Sequence, residues 1–212
     1  MTDPTPHLFW ITSRAAGFAA LVLASLAVSA GLLMSTKLLK GRTSELRSGH
    51  DTLALATIVA IVLHGATLLG DQFLHPSIAD IAIPFVSSYK TFWTSLGIVG
   101  GWGLALLGLS YYARRYVGAA RWRKLHRFTA LAWLAGLAHA LGEGTDAGQL
   151  WFLAMIALVV VPALALLATR LARSEPGAPA RPAGQAQTSK NRPSGPTLTT
   201  GVVPIAASEP QH

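Results

Sequence analysis

The sequence predicts an all-α protein: a polytopic membrane helical bundle of five transmembrane helices, with the N-terminus outside and the C-terminus inside. Three observations predict it. The 212-residue chain has a mean hydropathy of +0.45 and only 12% charged residues. Its apolar residues gather in five runs close to the roughly 20 residues a helix needs to cross a bilayer. Its cations sit in short clusters between those runs. A net charge of +8 would otherwise suggest nucleic acid, but cations placed this way are topology signals. No nucleic-acid partner is expected; the lipid bilayer is.

An extracytoplasmic tail, residues 1–8, leads into a first span over roughly Phe9–Leu33. The "AVSAG" stretch around Ala30 resembles a signal-peptidase site. However, Met1–His7 lacks Lys and Arg and the apolar run is long for a signal peptide, so the span is read as retained. The second span covers His50–Gly70, the third Phe92–Tyr112, the fourth Leu125–Leu141 and the fifth Leu150–Leu171, with Pro162 expected to kink the last. Lys37, Lys40, Arg42 and Arg47 follow span one, and Arg114, Arg115, Arg121, Arg123 and Lys124 follow span three. The other two connections carry Asp71, Asp80, Lys90, Glu143 and Asp146. The positive-inside rule therefore puts the Arg-rich connections in the cytoplasm and makes this a multi-pass protein of the cytoplasmic membrane. Trp10, Trp93 and Trp151 then fall at the outer boundary, where indoles favour the headgroups.

Two segments are not spans. "PSIADIAIPF" (Pro76–Phe85) sets Ile78, Ile81 and Phe85 on one helical face and is expected to lie flat on the outer surface as a lid. Residues 174–212, rich in Pro and Ala, read as a disordered cytoplasmic tail carrying Arg181, Lys190 and Arg192. That leaves residues 9–173 as the transmembrane domain.

The chain has no cysteine, which excludes disulfides, iron–sulfur clusters, zinc–thiolate sites and c-type haem attachment. Histidine carries the remaining metal chemistry. Span two holds His50 and His64, fourteen residues apart; span four holds His126 and His139, thirteen apart. Both spans run from inside to outside, so His50 and His126 lie near the cytoplasmic face and His64 and His139 near the outer one. At 1.5 Å per residue the two layers are roughly 20 Å apart. Two facing imidazoles are what a six-coordinate haem iron needs, and ligands so far apart cannot converge on one zinc or copper ion.

The rotational fit is uneven. Fourteen residues at 100° return to within about 40° of the starting face, whereas thirteen leave the imidazoles roughly 140° apart. A local distortion in span four must absorb the difference. A lone intramembrane histidine is often a polar residue hydrogen-bonded across a bundle. Four of the chain's seven, in two matched layers, are not explained that way. His7 and His75, in or beside outer loops, and His212 at the C-terminus read as solvated.

On "SRAAGFAALVLASLAVSAGLL", the two histidine spacings and "WRKLH…LAHALGEGTD", residues 9–171 resemble the ferric-reductase-like transmembrane domain family. That family includes the membrane cores of ferric reductases and NADPH oxidases, and the haem-binding subunit of bacterial methionine sulfoxide reductase systems. The resemblance implies a di-haem b-type cytochrome, with an inner haem on His50 and His126 and an outer haem on His64 and His139. It also implies electron flow from the cytoplasm outward. The oxidases carry a flavin- and nicotinamide-binding module after the last span. Here residues 174–212 are too short for one and hold no G-x-G-x-x-G pattern. The electron donor is therefore expected in trans, as a flavoprotein or membrane quinol. The acceptor is an extracytoplasmic redox partner or Fe(III).

Arg14, one turn into span one, is placed either to pair with an outer propionate or to snorkel to the headgroups. Arg127, with Arg121, Arg123 and Lys124, flanks His126 and offers an inner propionate contact beside its topological role. Glu143 and Asp146 read as a solvated outer loop able to attract a cationic acceptor, and Gly142 or Gly144 as a helix C-cap. Two other functions compete: the haem subunit of a two-component reductase, and a non-redox scaffold or transporter fragment whose histidines bond one another.

Overall fold

The computed structural model describes residues 7–36 and 41–173. The first six residues, Lys37 and Lys40 of the first cation cluster, and the expected tail over 174–212 lie outside the described residues. Within them the chain forms helices and connections, and no strand. In order these are α1 (Leu8–Thr36), α2 (Thr43–Leu68), α3 (Ile78–Ala82), α4 (Thr91–Leu109), α5 (Arg114–Val117), α6 (Ala119–His126), α7 (Thr129–Glu143) and α8 (Leu150–Ala172). Among them α1, α2, α4 and α8 are long and apolar enough to cross a membrane. The protein is a multi-pass helical membrane protein.

The predicted fourth span differs. It is broken in two, with α6 ending at His126 and α7 starting at Thr129. Across the break Phe128 N–H donates to Leu125 O (3.0 Å) and Ala130 N–H to Arg127 O (3.3 Å), three residues back instead of four. Such tight turns advance the chain by about 120° per residue against 100° in an α-helix. They take up part of the rotational misfit between His126 and His139. The remaining α7, with 15 residues, is about 22 Å long.

Packing places the histidine helices opposite one another. α1 lies along α2 and also touches α7 and α8, while α4 lies along α7 and touches α2. α2 and α7 therefore occupy diagonal corners of a four-helix arrangement. Small residues bring α4 against α7: a Cβ on Gly100 would come within 2.8 Å of both Ala132 O and Gly136 N. Such close approach is how helices associate in lipid, where the surrounding tails are as apolar as the side chains.

The core is built from α1, α7 and α8. Leu21 and Ala24 meet Trp133 and Leu137, with Phe152, Val160 and Ala163 on the third side. Trp133 is 1% exposed. Its Nε1–H donates to Ser25 Oγ (3.1 Å), which itself donates to Leu21 O (2.7 Å). Trp133 thus wedges α7 onto α1 and satisfies its one polar atom.

The connection from α2 to α4 is held locally. In place of an amphipathic helix over 76–85, only Ile78–Ala82 is helical. Ile78 and Phe85 are exposed and Ile81 is half-buried. Ser77 and Asp80 form a reciprocal capping box at the start of α3. Trp102 Nε1–H donates to Ala82 O (2.9 Å), tying α3 to α4. Three non-glycine residues here, His75, Phe85 and Lys90, have left-handed φ values of 43°, 67° and 37°. That conformation costs about 1–2 kcal/mol per residue. At Phe85 the strain is offset by a hydrogen bond from its N–H to Ser95 Oγ (2.8 Å).

Two outcomes are expected. Trp133→Ala leaves a large hole in the core, which costs about 3–5 kcal/mol in comparable sites. Ser25→Ala removes one interhelical hydrogen bond, worth on average about 0.6 kcal/mol in a membrane protein. Thermal unfolding in detergent should show the first substitution lowering the midpoint several times more than the second. The Ser77 hydrogen bonds hold the Asp80 carboxyl below its ordinary pKa. The cap is therefore complete above the ordinary Asp range and lost as pH falls through the lowered value. Hydrogen exchange at the Asp80 amide should accelerate, beyond the intrinsic pH trend, only under acid.

Candidate functional site

The four intramembrane histidines meet in two pairs. The rings of His50 on α2 and His126 on α6 have centroids 6.0 Å apart, inclined at 85°. Those of His64 on α2 and His139 on α7 are 6.3 Å apart, inclined at 70°. All four rings are half-buried. His50 and His64 share one helix across fourteen residues, so the pairs form two storeys about 21 Å apart.

Each imidazole is fixed through Nδ1 to a carbonyl oxygen on the adjacent helix. His64 Nδ1 bonds Ser13 O at 2.8 Å, and His50 Nδ1 bonds Ala27 O at 2.8 Å. His139 Nδ1 bonds Trp93 O at 2.9 Å, and His126 Nδ1 bonds Leu107 O at 3.4 Å. A carbonyl only accepts, so Nδ1 carries the proton and Nε2 keeps its lone pair. No hydrogen bond reaches any of the four Nε2 atoms among the described residues. Nor is any buried side-chain nitrogen or oxygen there without a partner. The four Nε2 atoms therefore open onto accessible space and are not sealed in protein.

Three of the rings rest on glycine. Gly17 lies one turn after Ser13, Gly31 one turn after Ala27, and Gly97 one turn after Trp93. A Cβ on Gly17 would stand 3.1 Å from His64 Nδ1, and one on Gly31 3.3 Å from His50 Cε1. A Cβ on Gly97 would reach 2.6 Å from His139 Nδ1. The first two distances are tight; the third is a collision. On α1 the two glycines are fourteen residues apart, matching the two histidines of antiparallel α2. This repeat was present in the sequence and is the signal that would have found the ledges.

The fourth ring is held differently. His126 has a long Nδ1 bond and no glycine beneath it, but Trp122 stacks on it at 4.9 Å and 24°. Trp122 is itself anchored, donating from Nε1 to Ser110 Oγ (3.1 Å). Tyr111 meets Trp122 edge-on, with the Arg114 guanidinium 3.7 Å over its own ring. Sequence reasoning assigned this aromatic group no part in the site.

The His64–His139 storey is bordered by charge. Arg14 makes a two-pronged ion pair with Asp146, and its guanidinium also lies 4.8 Å over the Trp10 ring. Asp146 is 6% exposed, which corrects the expectation of a solvated loop there. The partner this structure gives Arg14 is thus a carboxylate of the chain itself, reached across the α7–α8 connection. Glu143 is also half-buried: Thr94 Oγ1 donates to its carboxylate at 3.0 Å, and His139 Nδ1 lies 3.2 Å from Oε2. Ser13 adds a staple, its Oγ donating to His64 O at 3.0 Å. At the inner end Arg127 caps α6 with its side chain exposed.

The donor set fits a haem. Two opposed imidazoles bound to one metal ion through Nε2, at about 2.0–2.1 Å per bond, place their ring centres roughly 6.3 Å apart. The observed gaps are 6.0 and 6.3 Å. Nowhere among the described residues do three or more His, Asp or Glu side chains gather as a metal site. Each storey therefore supplies two nitrogens, too few for a closed zinc cage but enough for the axial positions of a macrocycle. Nδ1–H bonds to carbonyls are the usual outer support of metal-binding histidines.

Nitrogen-15 NMR of metal-free protein should find all four imidazoles protonated on Nδ1 and bare on Nε2. Gly97→Ala should shift the His139 signals alone, while Gly17→Ala and Gly31→Ala cause much smaller changes. No protein family, curated protein or solved structure matches the chain, so the functional reading rests on these side chains.

Proposed function

We propose that the protein is a di-haem b-type cytochrome that conducts electrons across the cytoplasmic membrane, taking them from a donor and passing them to an acceptor that are both separate molecules. The observation that carries this reading is the pairing of four imidazoles, each fixed through Nδ1 and free at Nε2, across gaps of 6.0 and 6.3 Å. Hydrogen bonding alone does not account for that arrangement. Two histidines bonding each other would use Nε2, which these do not.

In this reading His50 and His126 hold the inner haem, and His64 and His139 the outer. Haem supplies the one-electron chemistry, Fe(III) to Fe(II) and back. The chain supplies orientation and insulation. Ala27, Leu107, Ser13 and Trp93 fix each imidazole by its far nitrogen, so little reorganises when an electron arrives. α2 and α7 stand diagonally, which leaves the imidazole edges facing between them. The reading takes the α6–α7 region as a fifth crossing beside the four helices long enough to span, with the N-terminus out and the C-terminus in. The Arg-rich α5–α6 connection then lies in the cytoplasm. The resemblance to ferric-reductase-like membrane domains supports outward electron flow.

Purified protein, oxidised against dithionite-reduced, is expected to show b-type absorbance bands and two haems per chain. His64→Ala and His139→Ala should each reduce this to about one, and His50→Ala should remove the other. Absence of b-type bands in protein expressed with adequate haem would overturn the proposal. Unchanged haem content in His50→Ala would overturn its inner site.

A further inference from the structure

The four imidazoles are not equivalent. His50, His64 and His126 are met at Nδ1 by carbonyl oxygens and, for His64, the Ser13 hydroxyl at 3.0 Å. Only His139 also faces a carboxylate, with Glu143 Oε2 3.2 Å from its Nδ1. The two are one helical turn apart on α7, so the contact is built into one element.

The carboxylate is also held in place from outside that turn. Thr94 Oγ1 on α4 lies 3.0 Å from both Glu143 oxygens. Lys90 Nζ donates to the carbonyls of Gly142 (3.3 Å) and Glu143 (3.4 Å), tying down the end of α7. Trp93 O takes the Nδ1 proton at 2.9 Å from the adjacent turn of α4. The His139 ring thus lies among Trp93, Glu143 and Gly97.

We infer that Glu143 is a positioning residue that makes His139 a more electron-rich ligand and thereby lowers the reduction potential of the outer haem. This rests on the di-haem reading. The Glu143 carboxylate, 3.2 Å from Nδ1, sets negative charge beside the N–H that Trp93 O accepts, which raises the basicity of Nε2. Negative charge near the iron also favours the ferric state over the ferrous. The change of state is one electron, with no bond made or broken. The inner pair has aromatic stacking from Trp122 and the Asp51 carboxylate in its neighbourhood, but among the described residues only the outer pair has a carboxylate in contact with an imidazole nitrogen. The two sites therefore differ in how readily they release an electron although their axial ligands are identical.

The test is a spectroelectrochemical titration of the full-length, haem-loaded protein, with His64→Ala identifying which step belongs to the inner site. Glu143→Gln should raise the outer step alone, by about tenfold in its equilibrium constant, or about 59 mV for one electron. Glu143→Asp keeps the charge and should stay near the unaltered protein. An outer step unmoved in Glu143→Gln, an equal shift of both steps, or an equal shift in Glu143→Asp would overturn the inference. If Glu143→Gln does not retain the outer haem, Thr94→Val decides. It removes a hydroxyl whose one proton lies between Tyr89 O (2.7 Å) and the carboxylate (3.0 Å), leaves the carboxylate without that donor, and should lower the outer step; no shift or a rise counts against the role. Protein that binds no haem at all would instead overturn the di-haem reading.

Discussion

The bond from an imidazole Nδ1–H to a backbone carbonyl of the neighbouring helix governs the rest of this structure. Inside a bilayer an imidazole has no water to satisfy its two nitrogens, and an unmet polar atom there is costly. A helical carbonyl already bonded within its own helix still has a second lone pair to offer. Reaching it requires the ring to lie flat against the neighbouring helix, which is possible where that helix has no side chain one turn on. Gly17, Gly31 and Gly97 answer that requirement. The closeness of α1 to α2 and of α4 to α7 follows from it, as does the diagonal placing of the two histidine helices.

The two halves of the bundle use different physics. On the α1–α7–α8 side, Trp133, Phe152 and Val160 are almost wholly buried and pack as in a soluble core. On the α2 side few residues are buried, and Val59, Val62 and Leu63 are exposed. Packing on the first side holds α7 where its imidazoles can face α2. The second side packs α2 closely along α1 and leaves the opposite face of α2 exposed.

Much of this was legible in the sequence. The boundaries of α1, α4 and α8 follow closely from hydropathy because lipid imposes a length on any helix that crosses it, whereas α2 starts at Thr43 and not at His50, since a helix can run on through polar residues beyond its apolar stretch. The two histidine layers follow from periodicity. The break between α6 and α7 was legible only as a misfit, since thirteen residues did not fit a straight helix; "HRFT" carries no Gly or Pro to mark it. The pairing of Arg14 with Asp146 spans 132 residues, and no local pattern announces a contact at that range. Glu143 was visible as a loop acid. Its bond to His139 depends on where α7 ends, and helix ends are the least certain feature of any sequence reading. The glycine ledges were legible in principle, because a fourteen-residue interval recurs on α1 and α2.

The break after His126 has one more consequence. His139 belongs to α7, which Trp133 and Leu137 wedge into the core, whereas His126 closes α6, a short helix beyond a turn. The two storeys are thus mechanically separable on this side, sharing α2 as a common wall but each with its own opposite support. The unequal spacing that first looked like a flaw in the clamp serves as its joint.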